Sequence, residues 1–466
     1  MTSKIRPFFW LPALLAILAC STFTQNVSPE SLPTSAKKYF TKKTTPLPTT
    51  TNTPIPSAIY TPTESLPSIT PSLVSESTPT PTIIPVDTQL SIFENLWTIV
   101  NDTYIYPDFN GLDWNAIHQE YRQKISAGMT NLQFYLAMSE LITMLGDDHS
   151  LYLNPQDVAE QDAEYQGTYD YVGIGVLVSA IPERHRAVIL SVFTGSPAET
   201  AGLLPRDSII SVDGNAILDE DGFLRDIVRG PEGTTITMLV QTPGEQPREI
   251  RVTRHRITGE VPVTSKVIAL PDGNRIGYIL LVTFDDSTVD EQVASALSQM
   301  TEDAPLDGLI LDNRMNGGGS STVLEPMLGF FVGGNLGNFI NRNEERPLQI
   351  RLNDINGSSQ VPLVVLVSSE TASFGEIFAG ILQDVGRAYL IGKTTEGNVE
   401  ILWGYDLEDG SKIWLANETF RPLNHPDESW EKIGVLPDSF QSGEFDEFTF
   451  ENDPVVKAAI GYLTER

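Results

Sequence analysis

From Asp87 onward the hydrophobic pattern changes period twice. Ile92-Phe93, Leu96-Trp97 and Val100 recur at helical spacing, as do Phe134, Met138, Leu141 and Ile142. This predicts a helical N-terminal region over 87–164 that runs through Gly146-Asp147-Asp148-His149-Ser150. Over 165–258 short apolar runs alternate with turns: GIGVLV, AVILSV, DSIISVDG, TITMLVQ and REIRVTR. A mainly-β unit is expected there, with one helical patch at Ser196-Pro197-Ala198 and a second over 221–228. Over 259–440 strand and helix patterns alternate. Strands are expected at 276–282, 307–311 and 362–367 (PLVVLV, apolar enough to be buried on both faces) and a helix at 289–300. Phe374, Ile377, Phe378, Ile381, Leu382 and Val385 share one helical face. The result is an α/β core followed by a C-terminal segment, 441–466.

The start of the chain follows other rules. Lys4 and Arg6 precede an almost wholly apolar run, residues 8–19, and then Cys20, the single cysteine. This is the layout of an export signal, and it resembles the bacterial lipoprotein signal, which implies lipidation of Cys20. A plain signal peptide or a short membrane anchor is the alternative. Residues 21–86 are dominated by Thr, Pro and Ser and cannot bury a core, so a disordered stalk is expected. Polyproline-like stretches of ~3.1 Å per residue give such a stalk a reach on the order of 100 Å. A protein of the bacterial cell envelope, lipid-anchored to a membrane, is the expected setting.

Charge narrows the partners. Of a formal net charge of −31, residues 1–86 contribute six Lys/Arg against three Asp/Glu, so the remainder carries about −34. An acidic body excludes nucleic acid as an expected partner, because phosphate contacts require Lys and Arg. One cysteine permits neither an internal disulfide nor a cysteine-type zinc site, and no His-Glu-x-x-His run exists. Neither a metal nor an organic cofactor is implied.

Within 165–258, five motifs occur in order: Tyr171-Val172-Gly173-Ile174-Gly175, Gly195-Ser196-Pro197-Ala198, Ala201-Gly202-Leu203, Asp207-Ser208-Ile209-Ile210 and Val212-Asp213-Gly214. Together they resemble a PDZ domain of the bacterial protease type. The resemblance implies binding of an extended peptide tail as an added strand, its carboxylate held on the N–H groups of Tyr171, Val172, Gly173, Ile174 and Gly175. Arg206 departs from the glycine usual in the family.

Ser373 lies between the buried strand pattern and the helix that begins at Phe374. A serine at such a turn projects beyond the sheet edge, beside the free N–H groups and partial positive charge of a helix start. Ser373-Phe374-Gly375-Glu376 also reads as a capping box, which needs no chemistry. A second glycine-rich turn, Asn313-Arg314-Met315-Asn316-Gly317-Gly318-Gly319, follows the strand ending at Asp312 and permits close backbone approach to a ligand. With Glu431-Lys432-Ile433-Gly434-Val435-Leu436-Pro437-Asp438, these elements resemble the C-terminal processing (tail-specific) peptidase family and its tricorn-like relatives. The resemblance spans about residues 90–440. It implies a ClpP/crotonase-like α/β core with a helical cap and an inserted PDZ-like domain. Ser373 is then the nucleophile, with an oxyanion hole from the Gly318 region and the Phe374 N–H.

The base does not follow the tail-specific pattern. Asn398 fills the lysine slot and Leu402 the glutamine slot, and an amide cannot take a proton from serine. Lys393 is near in sequence without any sign that it points there. The tricorn-like resemblance implies His149 as base and Glu431 as its supporting acid, with Asp148 replacing a small hydroxyl residue. A purely structural His149 is the alternative, and His425 is the reserve base. His118, His185 and His255 read as surface helix or β-strand positions. The expected function is serine-type hydrolysis of peptide bonds in polypeptide substrates, with the PDZ-like unit recognising substrate or gating the site. The alternatives are a non-catalytic PDZ scaffold for protein tails and another acyl hydrolase using the same serine.

Overall fold

The computed structural model describes residues 83–147, 149–165 and 169–465. Cys20, the signal and most of the stalk lie outside the described residues. Among these residues no helix is long and apolar enough to cross a membrane.

Three helices, Val86–Thr103, Trp114–Ser126 and Asn131–Thr143, bury the residues that the 3.6 period selects, including Ile92, Phe93, Leu96, Val100, Phe134 and Leu141. Asp113 caps the second helix, and Thr130 with Gln133 forms a capping box on the third. Three helices alone leave an apolar face open. It is closed by Leu407, Ile413, Leu415 and Ala416 from far down the chain. The chain continues through strand β1 (Leu151–Leu153) and the helix Pro155–Tyr165.

Strands β2 (Tyr169–Gly173), β3 (Val176–Ile181), β4 (Arg186–Val192), β5 (Ser208–Val212), β6 (Asn215–Ala216), β7 (Thr235–Gln241), β8 (Arg248–Thr253) and β9 (His255–Gly259) make up the mainly-β unit. Its sheet has the order β3-β4-β5-β7-β8, so β3 is an edge, and β2 pairs with β9 as a separate two-stranded neck. The helical patch at Ser196 is present as a single turn, Pro197–Thr200, capped by the Ser196 hydroxyl. The helix expected over 221–228 is absent. Asp219 Oδ1 accepts from the N–H groups of Asp221 and Phe223, Gly222 turns with φ +91°, and Arg254 takes the carbonyls of Ile227 and Val228. Local side-chain bonds thus hold backbone groups that a helix needs.

The core sheet runs β10 (Ser265–Ala269), β11 (Arg275–Leu280), β12 (Gly308–Asp312), β15 (Leu363–Val367), β16 (Tyr389–Gly392) and β19 (Ser439–Phe440). It is parallel from β11 onward. β12 and β15 are buried along their whole length, as continuous apolar strands require. The helices Val289–Met300, Ser321–Gly329 and Phe374–Asp384 cover one face. The other face packs on Leu177, Ile181, Val188 and Leu190 of the mainly-β unit and on the helix Pro454–Thr464, which makes the C-terminal segment part of the core. A second sheet joins β1, β13 (Gly334–Ile340), β14 (Glu345–Ile350), β17 (Ile401–Asp406) and β18 (Lys412–Pro422).

Arg206 sits with φ +80°, a left-handed conformation that explains glycine as the usual residue there. Its guanidinium is buried against Asp453 (2.7 Å) and Asp312 (3.7 Å). Arg314 pairs with the same two carboxylates, at 2.6 Å and 2.7 Å. Two arginines and two aspartates thereby tie the mainly-β unit, the end of β12 and the C-terminal helix together.

Candidate active site

The turn after β15 is sewn to the loop after β12. Ser368 Oγ donates to the Arg314 carbonyl (2.6 Å), Thr371 Oγ1 to that of Asn313 (2.9 Å), and the Ala372 N–H to that of Asn316 (3.0 Å). Asn313 Nδ2 returns a bond to the Gly375 carbonyl at 2.8 Å. The two segments lie so close that a Cβ on Gly375 would sit 2.5 Å from the Asn316 oxygen.

Ser373 occupies φ +51°, ψ −128°. A serine pays conformational strain there, on the order of 1–3 kcal/mol, and such residues persist where the surroundings over-determine them. Two bonds fix its N–H, to the Asn398 carbonyl (2.8 Å) and to Glu376 Oε2 (3.2 Å). Glu376 is fully buried and also accepts from the N–H groups of Gly397 and Asn398, each at 2.8 Å, and from the Thr395 hydroxyl. The carboxylate read as half of a capping box therefore also anchors the segment that passes the serine.

Gly318 has φ +96°, and a Cβ on it would lie 2.6 Å from Ser373 Cβ and 2.9 Å from the Phe374 nitrogen. Only glycine fits. Its N–H already donates to Asn316 Oδ1 at 2.9 Å, so of the two expected oxyanion donors Gly318 is engaged by a side chain. Phe374 opens the helix, where N–H groups lack intrahelical partners.

His149 is buried, its backbone N–H held by Asp147 Oδ1 at 3.0 Å. Ser150 Oγ accepts from the Ala416 N–H at 3.0 Å and ties this loop to β18. His149 Nε2 lies 3.4 Å from Glu400 Oε2 and 3.8 Å from Glu431 Oε1. Glu431 Oε2 accepts from the Val399 N–H at 3.0 Å, and Glu400 Oε1 accepts from the Tyr106 hydroxyl. Burial lowers the His149 pKa, but the Glu431 carboxylate beside the ring and the charges of Glu400 and Asp147 outweigh it, and the net direction is up. Burial, then repulsion from Glu431, pushes Glu400 up to about 7, against the pull of His149 and Tyr106.

Asn398, Val399 and Glu400 thus touch Ser373, Glu431 and His149 in turn. Glu400 was not expected from sequence. One glutamate at the head of an apolar run carries no local signal, and its partner Tyr106 is 294 residues away. The reserve bases point elsewhere. His425 is exposed and pairs with Asp384 at 2.7 Å, at the opposite end of the helix that Phe374 starts. Lys393 pairs with Glu444. His118 pairs with Glu94 at 2.7 Å, and His255 faces Glu232.

In the mainly-β unit, Tyr171, Val172 and Gly173 are not a loop. They pair with Ile257, Arg256 and His255 in the β2–β9 ladder, leaving Ile174 and Gly175 as the bend. The Ile174 and Gly175 carbonyls accept from Ala198 and Phe193, Ile174 is buried, and the Tyr171 ring lies where a Gly173 side chain would be. Arg229 stacks 4.4 Å from the Tyr171 ring centroid.

Comparison with known proteins bears on this arrangement. Residues 275–439 match the model of peptidase family S41, 85–143 the tricorn protease C1 domain and 188–242 a PDZ domain. The carboxyl-terminal-processing protease of Synechocystis is 29% identical, over 83% of this chain and 89% of its own length. The carboxy-terminal processing protease CtpB of Bacillus subtilis is also 29% identical, over 65% of this chain and 61% of its own. Among solved structures, the photosystem II D1 C-terminal processing protease aligns with a TM-score of 0.55 at 27% identity, over 80% of this chain and 97% of that one. Residues 275–439 are a peptidase family S41 unit, the chain is similar along most of its length to the carboxyl-terminal-processing proteases, and these matches indicate a serine-type peptidase.

Proposed function

We propose that this peptidase cleaves polypeptides with Ser373 as nucleophile and His149 as base. The observation that carries the reading is the three-residue strip 398–400, which contacts the serine backbone, the Glu431 carboxylate and the imidazole. Both carboxylates face Nε2 of His149, which favours the neutral ring's proton there and makes Nδ1 the proposed acceptor of the serine proton. Nδ1 takes the proton as Ser373 Oγ bonds to the peptide carbonyl carbon. Glu431 and Glu400 stabilise the resulting imidazolium, which then protonates the leaving amine. The Phe374 N–H holds the oxyanion, joined by Gly318 as its N–H turns from Asn316. Water releases the acyl-enzyme by the same steps in reverse.

The substrate class follows from the mainly-β unit. Its edge strand β3 has a free side on which an extended tail adds as a further strand. Tyr171 to Gly175 stands at the start of that edge. The ladder engages its first three residues, which supports a carboxylate site at the Ile174–Gly175 bend. The Arg229 guanidinium near Tyr171 supplies positive charge beside it. The N-terminal pattern supports export and lipidation at Cys20, with proteins outside the cytoplasm as substrates.

Fluorophosphonate labelling of the wild type, Ser373→Ala and His149→Ala tests the catalytic pair. Label on the wild type alone is the expected result. Undiminished label on Ser373→Ala sinks the nucleophile assignment, and undiminished label on His149→Ala sinks the base.

A further inference from the structure

We propose that His149, Glu400 and Glu431 form a binding site for a divalent transition-metal ion of the Zn²⁺ class, and that the bound ion reversibly switches the peptidase off. The switch rests on His149 being the base; the binding site does not.

Three segments distant in sequence each offer one ligand atom, and these atoms lie within 4.8 Å of one another. Zinc bonds of ~2.0–2.1 Å in a tetrahedron set ligand atoms about 3.3 Å apart. The Glu400 separation from Nε2, 3.4 Å, already matches, and the Glu431 separation, 3.8 Å, closes by a few tenths of an ångström. Glu400 Oε2 is buried in a side chain only 2% exposed and makes no hydrogen bond, the imidazole Nε2 standing 3.4 Å away. Such an oxygen costs free energy unless something positive meets it. Each carboxylate is also oriented by its other oxygen, Glu400 through the Tyr106 hydroxyl and Glu431 through the Val399 N–H. Partners of this kind characterise the outer shell of metal ligands. Two carboxylates balance a dication, and three protein ligands leave a fourth position for water.

The consequence for catalysis follows from the tautomer. A metal on Nε2 takes the lone pair of that nitrogen and drives the ring proton to Nδ1, the atom that must accept the serine proton. From the neutral ring this is a shift of its one proton from Nε2 to Nδ1, whereas the imidazolium must first lose a proton to solvent, so affinity rises with pH.

The test uses the full chain. Zn²⁺ binding is followed by calorimetry and Co²⁺ binding by visible absorption in the wild type, Glu400→Gln and Glu94→Gln. The last removes the carboxylate beside His118, the other close histidine–carboxylate pair of the helical region. The expected result is a saturable ion in the wild type and in Glu94→Gln, weakened at least about tenfold in Glu400→Gln. Fluorophosphonate labelling should fall as zinc saturates and return with EDTA. No saturable binding, or equal binding in a folded Glu400→Gln, overturns the site. If Glu400→Gln fails to fold, His149→Gln gives the same readout. Zinc bound through Glu400 with labelling unchanged overturns the switch alone. A protein that binds zinc there but never labels Ser373 removes the nucleophile assignment and leaves the site standing.

Discussion

At the scale of single residues, the site depends on close approach and on a surplus of negative charge. Gly318 permits the approach. Alanine there meets Ser373 Cβ at 2.6 Å and must hold φ +96°. Gly318→Ala should lower kcat/KM by about 100-fold or more, the scale of losing one oxyanion donor, while the chain still folds. Peptide-hydrolysis rates beside a thermal melt separate the two effects. The surplus charge sets the pH response. His149 is raised above its ordinary 6.5, so the acid limb of kcat/KM should lie above that value. Glu400→Gln removes one anion and should move the limb to lower pH. Stability has its own sign. Glu400 titrates near 4.5 when unfolded and about 7 when folded. The folded state therefore binds the extra proton, and the stability this adds is present below about 4.5 and lost as pH rises to about 7. Relative to wild type, Glu400→Gln should gain Tm between pH 5 and pH 8. A constant Tm difference over that range would refute the assignment.

At the scale of elements, local patterns were legible where one element buries one face. The helix Val289–Met300, strand β15 and the helix starting at Phe374 follow directly from apolar spacing. The turn at Ser373 and the loop at Gly318 stood out at strand ends, but each alone also reads as a helix cap or a tight turn, and only together with the family resemblance did they point to a site. The element over 221–228 was not, because a single aspartate, Asp219, and the distant Arg254 captured its backbone. Glu400 was hidden for the same reason: its role comes from Tyr106 and His149, which arrive by tertiary folding. Arg206 is the converse case, a sequence oddity whose meaning appears only in space. Arg206→Ala leaves Arg314 paired with Asp453 and Asp312, with the Tyr278 hydroxyl still on Asp312 and the Val455 N–H on Asp453. It should destabilise toward the lower end of about 3–5 kcal/mol, the scale of breaking a buried pair. Arg206→Gly loses the same pair but is relieved of the left-handed strain, so it should be about 1 kcal/mol more stable than Arg206→Ala. Urea unfolding of the three proteins measures both differences. Equal stability of Ala and Gly variants would mean that the backbone relaxes when the guanidinium goes.

At the scale of the whole molecule, the charge that argues against a nucleic-acid partner also acts on substrates. A net charge of −31 on one chain creates a field that a cationic peptide feels before contact. The field decays over a Debye length, from ~30 Å at 0.01 M salt to ~10 Å at 0.1 M. Steering acts on association, and kcat/KM reports association when binding limits the reaction, whereas kcat does not. Peptides of one sequence flanked by two lysines or by two glutamates should therefore diverge at low salt. For the lysine peptide kcat/KM should fall as salt rises. For the glutamate peptide it should rise, and the two should converge above about 0.3 M with kcat nearly constant. The residues that hold the candidate site are mostly buried, so local contacts with the flanks cannot mimic this pattern without also changing kcat. Matching salt profiles for both peptides would show that the acidic surface is turned away from the path substrates take, and that the mainly-β edge selects them by shape and tail alone.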